Sequence, residues 1–186
     1  MVATADLLAH SEQMADELTI VIDTREQTPL SFADLPGVSS VSGTLQSGDY
    51  SIEGLEEHFA VERKSIDDLI GSCTSERDRF RRELHRLRGF SFARLLVVGT
   101  QDQIELHRYR SQASPKAILA TLTAFEVEYN VPVVFLPTAA QASRWLARAA
   151  WYFKRSRQKG IVPFKGSCEI DSVKTASAGV LLESVS

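Results

Sequence analysis

Three carboxylates and one lysine in the N-terminal part of the chain have the types and spacing that phosphodiester hydrolysis requires. Asp23 ends a run of β-branched residues, Asp49 follows Gly48 at a turn into a strand, and Glu62 and Lys64 are two apart in a later strand. Residues two apart in a strand project from the same face, so Glu62 and Lys64 would lie side by side. If Asp49 lies on the neighbouring strand, its carboxylate and that of Glu62 can share a hard cation such as Mg²⁺. The lysine then stands beside the metal, where water and the scissile phosphate would sit, and this combination is typical of metal-assisted hydrolysis.

Hydrophobic patterns predict the elements that position these side chains. Short β-branched or alternating segments predict strands at Leu18–Asp23, Val38–Leu45, Tyr50–Ile52, His58–Lys64, Phe92–Val98 and Val131–Leu136. Ser or Thr followed three residues later by an acid or Gln predicts helices that start at Ser65, at Ser75 (ending near Arg88) and at Thr138 (ending near Arg155), and Ser114-Pro115 predicts another. Because the helices come mainly after the fourth strand, we expect an α/β domain in which three antiparallel strands precede βαβ-type crossovers.

Charge is distributed unevenly along the chain, although the net charge is only −3. Residues 1–61 hold one basic and eleven acidic residues, whereas residues 62–186 hold twenty basic and thirteen acidic residues. Residues 76–94 carry seven arginines against three acids, and residues 144–159 carry six basic residues and no acid. Such blocks are typical of a surface that binds phosphates, with solvated helix surface as the alternative. Carboxylates that hold a divalent metal would explain the acidic segment.

Length and composition are those of an ordinary globular domain. With 186 residues, of which 44% are hydrophobic, the chain is expected to form one domain at residues 18–160, preceded by a lead-in at 1–17 and followed by a loose tail at 161–186. Cys73 and Cys168 are too few for a disulfide framework, and no segment has the pattern of a secretion signal or a membrane span. We therefore expect a cytoplasmic protein that does not associate with membranes.

The segment at residues 62–68 (ERKSIDD), with Gly48-Asp49 upstream, resembles the GDX(n)ERKX3D motif of the XPF family of structure-specific DNA endonucleases. Residues 21–26 (VIDTRE) resemble the first motif of that family. Residues 75–83 (SERDRFRRE) resemble its helical segment, with Glu83 at a position where eukaryotic members carry Gln.

This resemblance covers about residues 18–155 and implies a restriction-endonuclease-like PD-(D/E)XK fold, an α/β domain with a central mixed sheet flanked by helices. It implies an endonuclease that uses Mg²⁺ or Mn²⁺ to hydrolyse phosphodiester bonds in branched, flapped or forked DNA. Family members typically work as dimers, so a homodimer or an accessory DNA-targeting protein is the expected partner besides DNA. The residues after Gly160 are too few for the tandem helix-hairpin-helix motifs of full-length members. The compact form resembles the stand-alone nucleases of bacteria and their phages, which implies a nucleoid-associated location.

The motif also implies a role for each matching residue. These are metal ligands at Asp23, Asp49 and Glu62, a catalytic basic pair at Arg63 and Lys64, a last catalytic acid at Asp68, and near-site support from Arg25 and Glu26. From the basic helix we expect DNA contacts at Arg77, Arg81, Arg82 and Arg86. Three other interpretations stay open: Asp68 as a helix-capping residue, Glu26 as the partner of Arg25, and the domain as a non-catalytic DNA-binding or partner subunit. Such a subunit is expected to have lost an acid or the lysine, and none is lost here.

Overall fold

Six strands form one mixed sheet in the computed structural model, which describes residues 17–161. The strands are β1 (Leu18–Asp23), β2 (Val38–Gly43), β3 (Tyr50–Ile52), β4 (Phe59–Ser65), β5 (Phe92–Val98) and β6 (Val133–Leu136). The helices are α1 (Ile66–Cys73), α2 (Arg77–Leu87), α3 (Gln101–Glu105), α4 (Pro115–Tyr129) and α5 (Ala139–Gln158). Apart from residues 17 and 161, the expected lead-in and tail lie outside the described part of the chain.

The strand order in the sheet is β2-β1-β3-β4-β5-β6. Strand β3 runs antiparallel to both β1 and β4, and the other neighbours are parallel. The expected central mixed sheet with flanking helices is confirmed, but the expectation that the first three strands are antiparallel is wrong for β2. Leu18 lies opposite Val38 and Asp23 lies opposite Gly43, as in a parallel pair. The connection at residues 24–37 is long enough to return the chain to the start of β1, so no tight hairpin constrains the direction of β2.

The sheet separates two hydrophobic cores. The first is formed with α1, α2 and α4 and includes Leu69, Leu84 and Leu122. The second is formed with α5 and includes Tyr50 and Leu146. Alternation along β4 places Ala60 in the first core and Phe59 and Val61 in the second. By the same alternation, Glu62 and Lys64 project toward α2, whereas Arg63 projects from the opposite face.

Helix starts were predicted well where a side chain caps the backbone. The hydroxyl of Ser65 accepts a hydrogen bond from the Asp68 amide at the start of α1, and that of Thr138 accepts one from the Gln141 amide at the start of α5. The predicted start at Ser75 is wrong, since α2 begins at Arg77 with Glu76 at the N-cap position, and the Glu76 side chain makes no capping hydrogen bond. The Glu76 amide donates to the carbonyl of Gly71 in α1. This hydrogen bond holds residue 76 in the turn between the two helices, so α2 starts only after it.

The remaining differences concern short elements and element ends. Helix α3 was not predicted, although Thr100 and Gln103 form a complete capping box at its start. Strand β2 ends at Gly43 rather than Leu45, and β6 begins at Val133 because the preceding proline cannot donate to a sheet ladder. Over residues 17–161, no helix combines the length and the apolar character needed to cross a membrane.

Candidate active site

Gly48 determines how closely Asp49 approaches β4. Its φ is +80°, and a Cβ added there would lie 3.2 Å from the carbonyl oxygen and 3.3 Å from the nitrogen of Val61. Glycine adopts this conformation without steric cost and leaves room for the strand. The Asp49 amide then donates to the Val61 carbonyl at 2.9 Å, and the Arg63 amide donates to the Asp49 carboxylate at 2.8 Å. The Gly-Asp pair therefore fixes the Asp49 carboxylate beside β4.

Lys64 lies between two carboxylates that come from different elements. Its Nζ is 2.7 Å from Glu62 Oε1 on β4 and 3.5 Å from Glu83 Oε2 on α2. The ammonium group is also 5.0 Å from the centre of the Phe80 ring. The Lys64 side chain is only 13% exposed and that of Glu62 only 7%, so the pair is held in a largely dehydrated position.

The positive charge of Lys64 does not fully offset the burial and mutual repulsion of the carboxylates in this cluster. Burial raises the pKa of Glu62, and the negative charges of Asp49 and Glu83 raise it further against the opposing effect of Lys64. Burial likewise raises the pKa of Asp49. Burial lowers the pKa of Lys64, but the carboxylates of Glu62 and Glu83 outweigh it, so the net shift is upward and the lysine stays charged. Buried carboxylates in this condition are stabilised by an added cation.

Asp23 has both carboxylate oxygens occupied by hydrogen bonds. Oδ1 accepts from the backbone amide of Arg25 at 2.9 Å and from its Nε at 2.7 Å. Oδ2 accepts from Arg25 Nη2 at 3.0 Å and from the Leu45 amide at 2.8 Å. Arg25 is the main reason that the pKa of Asp23 falls to about 2. Asp23 lines the same cleft as Asp49 and Glu62. Its carboxylate oxygens, however, accept hydrogen bonds that join the end of β1 to Arg25 and to Leu45 in the loop between β2 and β3.

Arg63 and Glu26 form a separate ion pair on the other face of β4. Arg63 Nε lies 3.1 Å from Glu26 Oε2, and Arg63 also donates to the hydroxyl of Thr28. Glu26 is thus the partner of Arg63 and not of Arg25, which excludes the simple pairing considered from the sequence. The ion pair connects the loop after β1 to β4, directly behind Glu62 and Lys64.

Asp68 takes part in capping α1. Its carboxylate accepts from the Ser65 hydroxyl at 2.7 Å, and its amide donates to the same hydroxyl at 3.2 Å. The residue also lines the cleft, so capping does not remove it from the site.

A cleft of about 600 Å³ joins these residues. It is lined by Asp23, Arg25, Gln46, Ser47, Gly48, Asp49, Glu62, Arg63, Lys64, Asp67, Asp68, Gly71, Ser72, Glu76, Arg79, Phe80, Glu83 and Arg86. Its rim carries three exposed arginines, Arg25, Arg79 and Arg86, where an anionic ligand would enter.

The arginines of α2 divide between two sides of the helix. Arg86 lies on the cleft, as does Arg79, which is not among the predicted DNA contacts. Arg81 instead donates to the Tyr129 hydroxyl at 3.0 Å, and the Arg77 guanidinium stacks 5.3 Å from the centre of the Phe125 ring. Both of these contacts join α2 to α4. The fourth predicted contact residue, Arg82, is exposed and does not line the cleft.

Glu83 is another cleft residue absent from the predicted site. The available signal was its spacing from Phe80, since residues three apart on a helix share a face. Phe80 is buried against the sheet, so Glu83 follows it toward Lys64.

The donor set suits a hard divalent ion. Asp49 and Glu62 offer carboxylate oxygens, the ligands that Mg²⁺ prefers, and Mg²⁺ usually keeps several waters when two carboxylates bind it. Within residues 17–161 no group of three or more His, Cys, Asp or Glu side chains is arranged as a complete metal site. With two carboxylates as protein ligands, an ion at Asp49 and Glu62 would keep positions for water and substrate oxygens.

Comparison with known proteins bears on this arrangement. The ERCC4 domain matches the chain over residues 22–149, a span that runs from the end of β1 through β6 and into α5. The chain belongs to the ERCC4 domain family. The resemblance to XPF-family nuclease domains inferred from the motifs is thereby confirmed, and no match is found among curated proteins.

Solved structures agree with this family in their fold. XPF from Aeropyrum pernix matches with a TM-score of 0.61 and 21% identity over 75% of this chain. The same protein in a complex with DNA matches with a TM-score of 0.57 and 19% identity over 74% of this chain. The chain spans 63% and 66% of the lengths of these two structures.

Proposed function

We propose that the cleft hydrolyses phosphodiester bonds of DNA with the help of a divalent metal. The observation that carries the proposal is the convergence of Asp49, Glu62 and Lys64 on one face of the sheet, beneath a rim of arginines. Membership of the ERCC4 domain family supports a nuclease role for this cluster.

Asp49 and Glu62 would hold Mg²⁺ or Mn²⁺ in this site. Such an ion would supply a polarised water and would neutralise charge on the phosphate. Lys64 remains charged beside Glu62 and is positioned to stabilise negative charge that develops on the scissile phosphate. Asp23 would hold Arg25 at the rim instead of taking a metal-ligand position, and the Arg63–Glu26 pair would keep β4 in place from behind.

DNA would approach the cleft over the exposed arginines Arg25, Arg79 and Arg86. Their guanidinium groups suit phosphate oxygens, which Arg binds in a bidentate manner. Arg77 and Arg81 contact α4 and do not line the cleft, so we assign the DNA contacts of α2 to its cleft side. Branched, flapped or forked DNA is the proposed substrate class, and a homodimer or an accessory DNA-targeting protein is the proposed partner. A cytoplasmic location with access to the nucleoid accords with such a substrate.

A catalytic role is favoured over that of an inactive subunit. Every acid and the lysine of the motif are present, and Lys64 is held at 2.7 Å from Glu62 within the cleft. A subunit that only binds DNA does not require the buried Glu62 beside the half-buried Asp49, an arrangement that raises the pKa of both carboxyls despite the nearby Lys64.

A cleavage panel tests the proposed function. Labelled linear duplex, fork, flap and four-way junction are incubated with the protein in Mg²⁺, Mn²⁺ or EDTA. We expect cleavage only with metal, and faster cleavage of the branched forms than of linear duplex. Binding without cleavage in both metals contradicts the catalytic proposal and supports the inactive subunit, whereas equal cleavage of all four DNAs contradicts the substrate class.

A further inference from the structure

Helix α5 carries a line of basic side chains that the proposed cleft does not use. Arg144 and Arg148 of α5 and Lys159, the residue directly after it, are exposed, and Arg155 is half-buried between Arg148 and Lys159. The four residues are separated by four, seven and four positions, so they share one side of the helix. We call this set the basic ridge. Tyr152, which is 45% exposed, occupies the gap between Arg148 and Arg155.

The charge of the basic ridge is not neutralised within the described part of the chain. Helix α5 contains no Asp or Glu, and no ion pair among residues 17–161 includes a member of the ridge. Arg144 and Arg148 are four residues apart inside the helix, and like charges at this spacing destabilise a helix. A solvated helix surface usually alternates opposite charges, so this arrangement indicates an external anion.

The basic residues of α5 that are not part of the ridge interact with other parts of the domain. Lys154 donates to the Glu17 carbonyl at 2.8 Å, and Arg157 lies near enough to His58 to lower the pKa of that imidazole, together with the larger effect of burial. Arg155 instead lies over the ring of Trp151, 4.9 Å from its centre. Trp151 is buried, so it provides a fixed platform that orients the Arg155 guanidinium.

The ridge and the cleft lie on opposite faces of the sheet. Helix α5 packs in the second core, whereas α1 and α2, which form the cleft wall, pack in the first. At 1.5 Å per residue the ridge is about 22 Å long, which corresponds to about six phosphates of one strand of a duplex. A straight duplex in the cleft would leave this face free.

We propose that the basic ridge is a second DNA-binding surface, which binds the sugar-phosphate backbone of an arm other than the one in the cleft. This inference rests on the proposed function for the identity of the ligand. Its chemistry is that of phosphate contacts, because the ridge offers cationic side chains spaced along one helix side, which pair with phosphate oxygens of the backbone. It gives the domain a physical means to favour branched DNA, since only a branched molecule presents arms to both faces.

The test replaces Arg144 and Arg148 together with Gln and measures binding of a forked duplex in EDTA as a function of salt. Each phosphate contact contributes about 0.9 to the slope of log affinity against log salt. We therefore expect the slope to decrease by about 1–2 and the affinity at low salt to fall by about tenfold. The matched control is Arg108→Gln with Lys116→Gln, which removes the same charge from two exposed residues outside the cleft and α5. The control should retain the wild-type slope.

Two outcomes overturn the proposal. An unchanged slope in the ridge variant, or an equal decrease in the control, shows that the ridge makes no specific phosphate contacts. If the ridge variant has a different molecular mass from the wild type by light scattering at low salt, while the slope is unchanged, the ridge binds acidic side chains of a second copy instead of DNA. The proposed function is tested separately, by the cleavage panel. The slope is measured in EDTA, so it reports DNA binding by the ridge whether or not the protein cleaves DNA.

Discussion

Replacing Gly48 with alanine tests whether the approach of Asp49 to β4 depends on the missing side chain. The backbone at this position has φ +80°, and the new methyl group would lie 3.2 Å from a backbone oxygen of Val61 and 3.3 Å from the Cβ of Ala60. Backbone atoms in the middle of a sheet cannot move aside as a flexible side chain can. The loop must therefore shift, and the Asp49 carboxylate shifts with it.

The expected magnitude follows from these two effects. A non-glycine residue in this backbone region costs roughly 1–3 kcal/mol. Overpacking against a rigid neighbour costs roughly another 1–3 kcal/mol. Taking about 3 kcal/mol in total, the melting temperature of a domain of this size should fall by about 6–12 °C. Displacement of Asp49 by a few tenths of an ångström should also reduce the cleavage rate by at least about tenfold.

Gly54→Ala is the matched control for this variant. Gly54 has nearly the same φ, +77°, but a Cβ there meets no atom within 4 Å. Urea denaturation of both variants separates backbone strain, which they share, from contact with β4, which only Gly48→Ala introduces. We expect the Gly48 variant to lose about 1–3 kcal/mol more stability than the Gly54 variant. Equal losses, with equal cleavage rates, would refute the close approach as the reason for glycine at position 48.

Three further predictions concern the cleft and the core. Lys64→Ala should lower single-turnover kcat by about 10²–10³ with little loss of Mn²⁺ affinity, because Lys64 acts on the phosphate; restoration of the wild-type rate by saturating metal would show that it acts through metal occupancy. Arg79→Gln with Arg86→Gln should decrease the salt slope of DNA binding by about 1–2, as measured by fluorescence anisotropy, and an unchanged slope would mean that these arginines are only solvated. Burial raises the pKa of Cys73 to about 12, so mass spectrometry should find its peptide unalkylated after iodoacetamide treatment of native protein at pH 8; labelling as fast as in urea would contradict that burial.

Local chemistry explains the parts of the fold that were predicted well. The boundaries of β1 and β5 agree with the sequence because continuous apolar runs coincide with buried strands. The caps at Ser65 and Thr138 agree because a cap is formed by atoms only three residues apart.

Long-range packing explains the parts that were not. The direction of β2 depends on how a long loop returns across the sheet, which no hydrophobic period records. Helix α3 has five residues, too few to show a helical period. No sequence pattern indicates which side of α2 meets α4, so Arg77 and Arg81 were grouped with Arg86, which lines the cleft.

The same limit applies to single residues of the site. The sequence brings Asp49, Glu62 and Lys64 together through strand alternation, a local rule. The hydrogen bonds that occupy Asp23 come from Arg25 and from Leu45, and the second of these depends on the tertiary fold. Glu83 approaches Lys64 only because α2 folds back over β4.

The most direct test of the central claim is the single-turnover cleavage rate of a forked duplex as a function of Mn²⁺ concentration, for wild-type protein and for Asp49→Asn. The substitution keeps the size and one oxygen of the side chain but removes the charge that a hard cation requires. We predict a saturable rate in the wild type, no cleavage in EDTA, and near-complete loss of cleavage in a variant that still folds and binds DNA. Cleavage by Asp49→Asn within tenfold of the wild type would contradict a metal site at Asp49 and Glu62.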